Sequence, residues 1–239
     1  MNRKHRLAPG LPALAVCLFL TKTFTIAYAQ QAIVNMPSAD ITPKGKHFLM
    51  HETQTRAWNP GRYWLATNFY AYGIGRDTEL ALTSYNAGSP KSPDFSTGVG
   101  FKSAPKILKS RFGERDLRQT FGSMLIVNHR GLGVGHFSYT HTSFRLPKLD
   151  TRLTMGGWAG TRQLFRRNTG NVLAGIEQPV GHKMILLAEW FGGNHDFGFF
   201  IPGVLFHPAK DQFIVVAYKI PNNPRNGSPG LVLEYGLIF

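Results

Sequence analysis

From Lys46 to Phe239 the chain runs as a succession of segments, each ~10 residues long and rich in aromatic and β-branched residues, separated by clusters of Gly, Pro, Asn and Asp. Twelve such segments have cores at 46–56, 63–74, 79–88, 95–104, 118–129, 133–145, 151–163, 171–179, 183–192, 197–207, 212–220 and 231–239. None places apolar residues at i, i+3, i+4 and i+7 over three turns, so no helix of ordinary length is expected and the fold class is all-β. A tilted strand needs ~9–11 residues to cross a hydrocarbon layer, whereas strands of soluble sandwiches run nearer five or six. The pattern therefore predicts a closed antiparallel transmembrane β-barrel of about twelve strands over 46–239. An irregular periplasmic lead-in over 30–45, with Pro37, Pro43 and Gly45, precedes it. An even strand count puts both ends of the barrel on one side. The connections 75–78, 146–150, 180–182 and 208–211 then become short periplasmic turns, and 105–117, with Lys106, Lys109, Arg111 and Arg115, is long for that rule.

The last segment carries the strongest signal. Leu231, Leu233, Tyr235, Leu237 and Phe239 share one face at period two, and Glu234 points the other way. An apolar face toward lipid with a charged face toward the lumen is what a spanning strand requires. On these residues the chain resembles bacterial outer-membrane barrel proteins, whose last strand ends in an aromatic residue read by the barrel assembly machinery. The resemblance implies that Tyr235, Leu237 and Phe239 form an assembly signal. It also implies residence in the outer membrane, among its lipids and lipopolysaccharide. The chain departs from the family pattern in carrying Glu234 where a glycine often precedes the last hydrophobic pair, with Gly236 instead. Only the last nine residues are specific to it.

Similar alternation elsewhere nominates lumen-facing groups. Met184, Leu186, Ala188 and Trp190 oppose Glu189, while Val172, Ala174 and Ile176 oppose Glu177, which joins Glu177, Glu189 and Glu234 as inward acids. Arg152, Thr154, Trp158 and Arg162 share a parity, and Lys219 points with Phe213, which supplies inward cations. A bare charge in a narrow lumen is costly, so pairing among these groups is first a structural requirement. Trp58, Tyr63, Trp64, Tyr70, Tyr72, Trp190 and Tyr218 fall toward strand ends, where aromatic girdles form. Arg56, Arg62, Lys91, Arg166, Arg167 and Arg225 fall in loops that can meet lipopolysaccharide phosphates.

Composition adds an export signal and a charge bias. Arg3, Lys4 and Arg6 precede an apolar stretch over 11–20, and Ala27-Tyr28-Ala29 presents a small-x-small cleavage pattern, so residues 1–29 read as a signal peptide, with Lys22 interrupting its apolar part. The only cysteine, Cys17, leaves with that leader, which excludes disulfides and thiolate metal sites in the mature chain. The chain holds 27 Lys and Arg against 13 Asp and Glu; four of the cations lie in the leader, leaving a surplus of ten. These cations are scattered singly, which with export points to anionic head groups and away from nucleic acid. After the leader no apolar run approaches the ~18 residues of a spanning helix.

Chemistry is sparse. Some outer-membrane lipid hydrolases carry His and Ser two apart on a strand, as in His136-Phe137-Ser138, but their pattern continues with Asn or Gly-Arg where this chain has Tyr139 and Thr140. Phe137 and Tyr139 also read as lipid-facing, which turns His136 and Ser138 into the lumen. His47 and His51 on a strand stand ~13 Å apart, too far for one metal ion. Gly131, Gly133 and Gly135 lack the helix a phosphate cradle needs. No catalytic residue, metal or cofactor is assigned. The expected function is a small passive solute channel or transporter lined by Glu177, Glu189, Glu234, Arg152, Arg162 and Lys219. A plugged structural or adhesion barrel and an outer-membrane lipid hydrolase are the alternatives.

Overall fold

The computed structural model describes residues 31–55, 64–89, 92–107, 115–131, 133–165, 168–195, 197–225 and 229–239. The leader 1–29, Trp58, Tyr63, the side chain of Trp64, and the loop cations Arg56, Arg62, Lys91, Lys109, Arg111, Arg166 and Arg167 lie outside the described residues.

Twelve strands form one closed antiparallel barrel in which each pairs with its sequence neighbours and β1 closes on β12. They are β1 His47–Thr55, β2 Trp64–Gly75, β3 Thr78–Ser89, β4 Ser92–Ser103, β5 Arg115–Asn128, β6 Val134–Arg145, β7 Arg152–Gly160, β8 Gly170–Val180, β9 Met184–Phe191, β10 Phe199–Phe206, β11 Gln212–Pro221 and β12 Gly230–Ile238. The closing seam is bonded to its end: His47 and Phe239 exchange both backbone hydrogen bonds at 3.0 Å. No strand edge is left free, which is what lets β structure span lipid. The four short turns expected at the terminal end all lie there, and Arg76 and Asp77, both at φ 52°, make the two-residue turn between β2 and β3. The connection from β4 to β5 is the long one at that end.

Alternation sorts the side chains. On β1, Phe48, Met50, Glu52 and Gln54 are buried in the lumen while Leu49 and His51 face out. The outer wall is apolar: Leu80, Val99, Leu125 and Met155 are 50 to 71% exposed. Such a surface in water would be a large unfavourable patch, and a hydrocarbon layer removes that cost. At the terminal end Tyr70, Tyr72 and Phe239 gather around His47 as part of an aromatic girdle.

An eight-stranded barrel is just wide enough to be filled by its own side chains, so twelve strands leave space. Residues 31–45 occupy much of it, leaving a cavity of about 140 Å³ lined by Val34 and Asn35 of this segment and by Glu52, Glu79, Lys102 and Tyr139 of the wall. The segment forms a tight hairpin, with an Ala32–Pro37 bridge, a hydrogen bond from the Ile33 amide to the Met36 carbonyl at 2.8 Å, and Ile33, Val34 and Met36 almost wholly buried. Glycines in the wall admit this insert: a Cβ at Gly73 would overlap the carbonyl oxygens of Thr42 and Pro43, and one at Gly175 would overlap Ile33. The lead-in expected in the periplasm is thus an internal plug. Two apolar groups complete the packing. Phe48 stacks on Phe213 beside Leu205, Val215 and Val232 near the terminal end. At the opposite end Phe137, Trp158, Phe165 and Phe191 cluster under the short helix α1 Arg162–Phe165.

Candidate functional site

Two places bring chemical groups together: the lumen and the outer face of β5 and β6. In the lumen, Glu189 on β9 accepts three hydrogen bonds from the plug's backbone, from Val34 and Met36 at 2.8 Å and Asn35 at 2.9 Å. Arg152 on β7 donates to both carboxylate oxygens of Asp40 at 2.8 Å and lies 3.5 Å from Glu177. Glu79 accepts from the Thr42 amide at 2.7 Å and pairs with Lys102 at 3.3 Å, and Lys102 also donates to the Gln31 carbonyl at 2.9 Å. Lys219 donates to Gln54 and sits 4.3 Å from the centre of the Phe199 ring. Gln54 in turn donates to Asn35 at 3.0 Å and Glu52 at 2.8 Å. Glu234 is the cross-strand partner of Glu52, and neither of its carboxylate oxygens finds a donor among the described residues.

Of the six residues expected to line a lumen, Glu177, Glu189, Glu234, Arg152 and Lys219 are buried inside the barrel. Four of them bind the plug, one another or a neighbouring side chain, while Glu234 lies against Glu52 without a donor among the described residues. Arg162 is a correction. β7 ends at Gly160, so the strand parity that placed Arg162 inward stops two residues short, and Arg162 stands exposed at the start of helix α1. Asp40, Glu79 and Lys102 belong to the same network; Asp40 lies in an aperiodic segment that gives no parity signal, whereas Glu79 on β3, opposed by Leu80 and Leu82, carried one.

The second place reverses an expectation. Phe137 and Tyr139 point into the lumen, where Phe137 packs within 6.4 Å, centre to centre, of Trp158, Phe165 and Phe191. His136 and Ser138 therefore face outward. The cause is the filled interior: with an apolar core on the inside, large apolar side chains are at home on either face, and apolar character ceases to mark the lipid side. Outward on β6 stand His136, Ser138, Thr140 and Thr142, opposite Ser123 and Gln119 of β5. Ser138 Oγ lies 3.0 Å and Ser123 Oγ 2.8 Å from His136 Nε2, and Ser138 Oγ donates to Ser123 Oγ at 3.1 Å. Leu125, the cross-strand partner of His136, is half exposed and gives the group an apolar border. The His136 amide donates to Thr161 Oγ1 at 3.0 Å, which ties this end of β6 to the start of α1.

Chemically, a hydroxyl at hydrogen-bond distance from an imidazole nitrogen is a nucleophile with its base in place. Ser123 was missed because its relation to His136 is across strands and depends on the β5–β6 register, which spacing along one strand does not give.

No family model matches the chain, and no curated protein matches it in sequence. Among solved structures it is similar to outer membrane phospholipase A from Escherichia coli, at 8% identity and a TM-score of 0.46, over 83% of this chain and 93% of that one. A second structure of that enzyme, carrying an active-site substitution, aligns at 9% identity and a TM-score of 0.44, over 83% and 91%. Neisserial surface protein A (NspA) aligns at 12% identity and a TM-score of 0.22, over 81% and 93%.

Proposed function

We propose that this chain is a bacterial outer-membrane barrel that works from its lipid-facing wall, hydrolysing acyl esters of membrane lipids with Ser138 as nucleophile and His136 as general base. The observation that carries this reading is the 3.0 Å contact between Ser138 Oγ and His136 Nε2 on the outside of a barrel whose inside holds a plug. Ser138 Oγ adds to the ester carbonyl as its proton passes to His136. The imidazolium then protonates the departing alcohol, and water releases the acyl group by the reverse sequence. Polar side chains on a lipid-facing strand are costly, so four in succession on β6 call for a use.

The same reading takes residues 1–29 as a cleaved leader and Tyr235, Leu237 and Phe239 as the signal for the assembly machinery. It sets Arg225 and its neighbouring loops against lipopolysaccharide phosphates. The filled lumen supports a second reading, a plugged structural barrel without chemistry. The passive channel expected from strand number requires residues 31–45 to leave.

The test is fatty-acid release from phospholipid in mixed micelles by purified, heat-modifiable protein. Release by the wild type, abolished in Ser138→Ala and His136→Ala barrels that still shift on heating, is the expected result. No release, or release that survives Ser138→Ala, would leave the structural barrel.

A further inference from the structure

A second hydroxyl–imidazole array stands on the outer wall, on β1 and β2, with β3 and β4 between it and the β5–β6 pair. His51 and Asn68 are direct cross-strand partners, and His51 Nδ1 lies 2.8 Å from Asn68 Oδ1. His51 Nε2 lies 3.0 Å from Thr53 Oγ1, two residues along the same face. Beyond it, Asn68 Nδ2 donates to Ser84 Oγ on β3 at 3.1 Å.

These contacts fit one set of proton positions. With the Asn68 amide nitrogen directed to Ser84, its oxygen faces Nδ1 of His51, which must then carry the hydrogen. Nε2 is left as the bare lone pair and accepts the Thr53 hydroxyl proton. This is the arrangement nucleophilic catalysis requires: nucleophile, base, and a third group holding the base in the right tautomer. It is more complete than the β6 pair, whose His136 Nδ1 has no hydrogen-bond partner among the described residues. Around it the wall is apolar and open, with Tyr235 beside His51, Leu233 beside Thr53, and Leu49 and Leu82 nearby, all exposed. Leucines there would satisfy the bilayer at no cost, whereas this array puts an imidazole and an amide among them.

We propose that Thr53 is a second nucleophile of this protein, with His51 as its base and Asn68 as a positioning residue, and that its substrate is a long-chain acyl ester presented from the bilayer. Thr53 Oγ adds to the carbonyl carbon as His51 Nε2 takes its proton. The C–O bond to the alcohol breaks, and that alcohol leaves with the proton from His51. Water then frees the acyl group from Thr53. The exposed apolar side chains alongside give the acyl chain its contact surface. The site shares no residue with Ser138 and stands whether or not Ser138 reacts.

The test is covalent labelling of the full barrel in detergent by a long-chain alkyl fluorophosphonate, located by peptide mass spectrometry. The expected result is an adduct on Thr53 in the wild type and in Ser138→Ala, lost in His51→Ala. Thr53→Ser should label faster, because a primary hydroxyl is less hindered. Asn68→Ala should label about tenfold more slowly with an altered pH profile, whereas Asn68→Asp, which keeps the acceptor, should restore the rate. Absence of any adduct at position 53 in both the wild type and Thr53→Ser barrels that still shift on heating would overturn the proposal. So would labelling unaffected by His51→Ala. An adduct on Ser138 with none at position 53 would do the same while sustaining the β6 reading.

Discussion

Arg152 of β7 donates through both terminal nitrogens to the two carboxylate oxygens of Asp40, each at 2.8 Å, joining the barrel wall to a plug residue far away in sequence. Forked pairing of this kind is the strong form of an ion pair, and here both partners are well shielded from solvent. Removing one partner strands a buried charge. Asp40→Ala is expected to cost about 3–5 kcal/mol in urea unfolding of the refolded barrel. Glu177 lies 3.5 Å from the same guanidinium and is left to balance it, so Glu177→Ala combined with Asp40→Ala should cost more than the sum of the two single changes.

Glu189 makes the complementary attachment, accepting amides from three successive plug residues. A carboxylate serving three amides, those of Val34 and Met36 buried, cannot be replaced by a methyl group without leaving all three without it. Glu189→Ala should therefore increase hydrogen exchange over 31–45 while the strand amides stay protected. In planar bilayers the wild type should be silent. Deletion of 31–45 should give discrete conductance steps, since it empties the space that twelve strands enclose. Steps of the same size from the wild type would show that the plug does not seal the barrel.

The twelve strands and the turns at the terminal end were legible because period-two alternation and turn residues are local signals. What failed were inferences that depend on the contents of the lumen. Phe137 and Tyr139 read as lipid-facing because apolar residues face outward when the interior is water; here the interior is a packed core, and β6 is inverted. Residues 31–45 have no periodicity, so nothing local distinguished an insert from a periplasmic lead-in. Arg162 was assigned by carrying strand parity past Gly160. The array of His51, Thr53 and Asn68 joins two strands, and His51 considered with His47 alone raised only a metal question. Its signal was His51-x-Thr53 on the outward face of β1, with a partner on the next strand that spacing along one strand does not show.

Glu52 and Glu234 face each other across the β1–β12 seam, and Gln54 and Thr67 donate to Glu52 alone. Two buried carboxyl groups side by side with one set of donors cannot both ionise, and an amide would supply the missing donor without needing a proton. Glu234→Gln is accordingly expected to stabilise the barrel by about 1–3 kcal/mol. The check is a higher temperature for the gel shift of unheated protein, and a lowered temperature would indicate that the seam needs both carboxyl groups.

Ser123 supplies the sharpest test of how the β6 site works. Ser138 Oγ has two acceptors in reach, His136 Nε2 at 3.0 Å and Ser123 Oγ at 3.1 Å, while Ser123 Oγ approaches Nε2 more closely, at 2.8 Å. Only the direct bond from Ser138 to His136 prepares the nucleophile, and Ser123 competes for the same lone pair. Taking Ser123 away should leave Nε2 to Ser138, so Ser123→Ala is expected to raise ester hydrolysis about two- to threefold, against a loss of roughly 10²–10⁴ for His136→Ala. If Ser123 instead relays the proton from Ser138 to His136, Ser123→Ala would lower the rate by a large factor. Initial rates of the two variants, compared at one pH in the same micelles, distinguish a competitor from a relay.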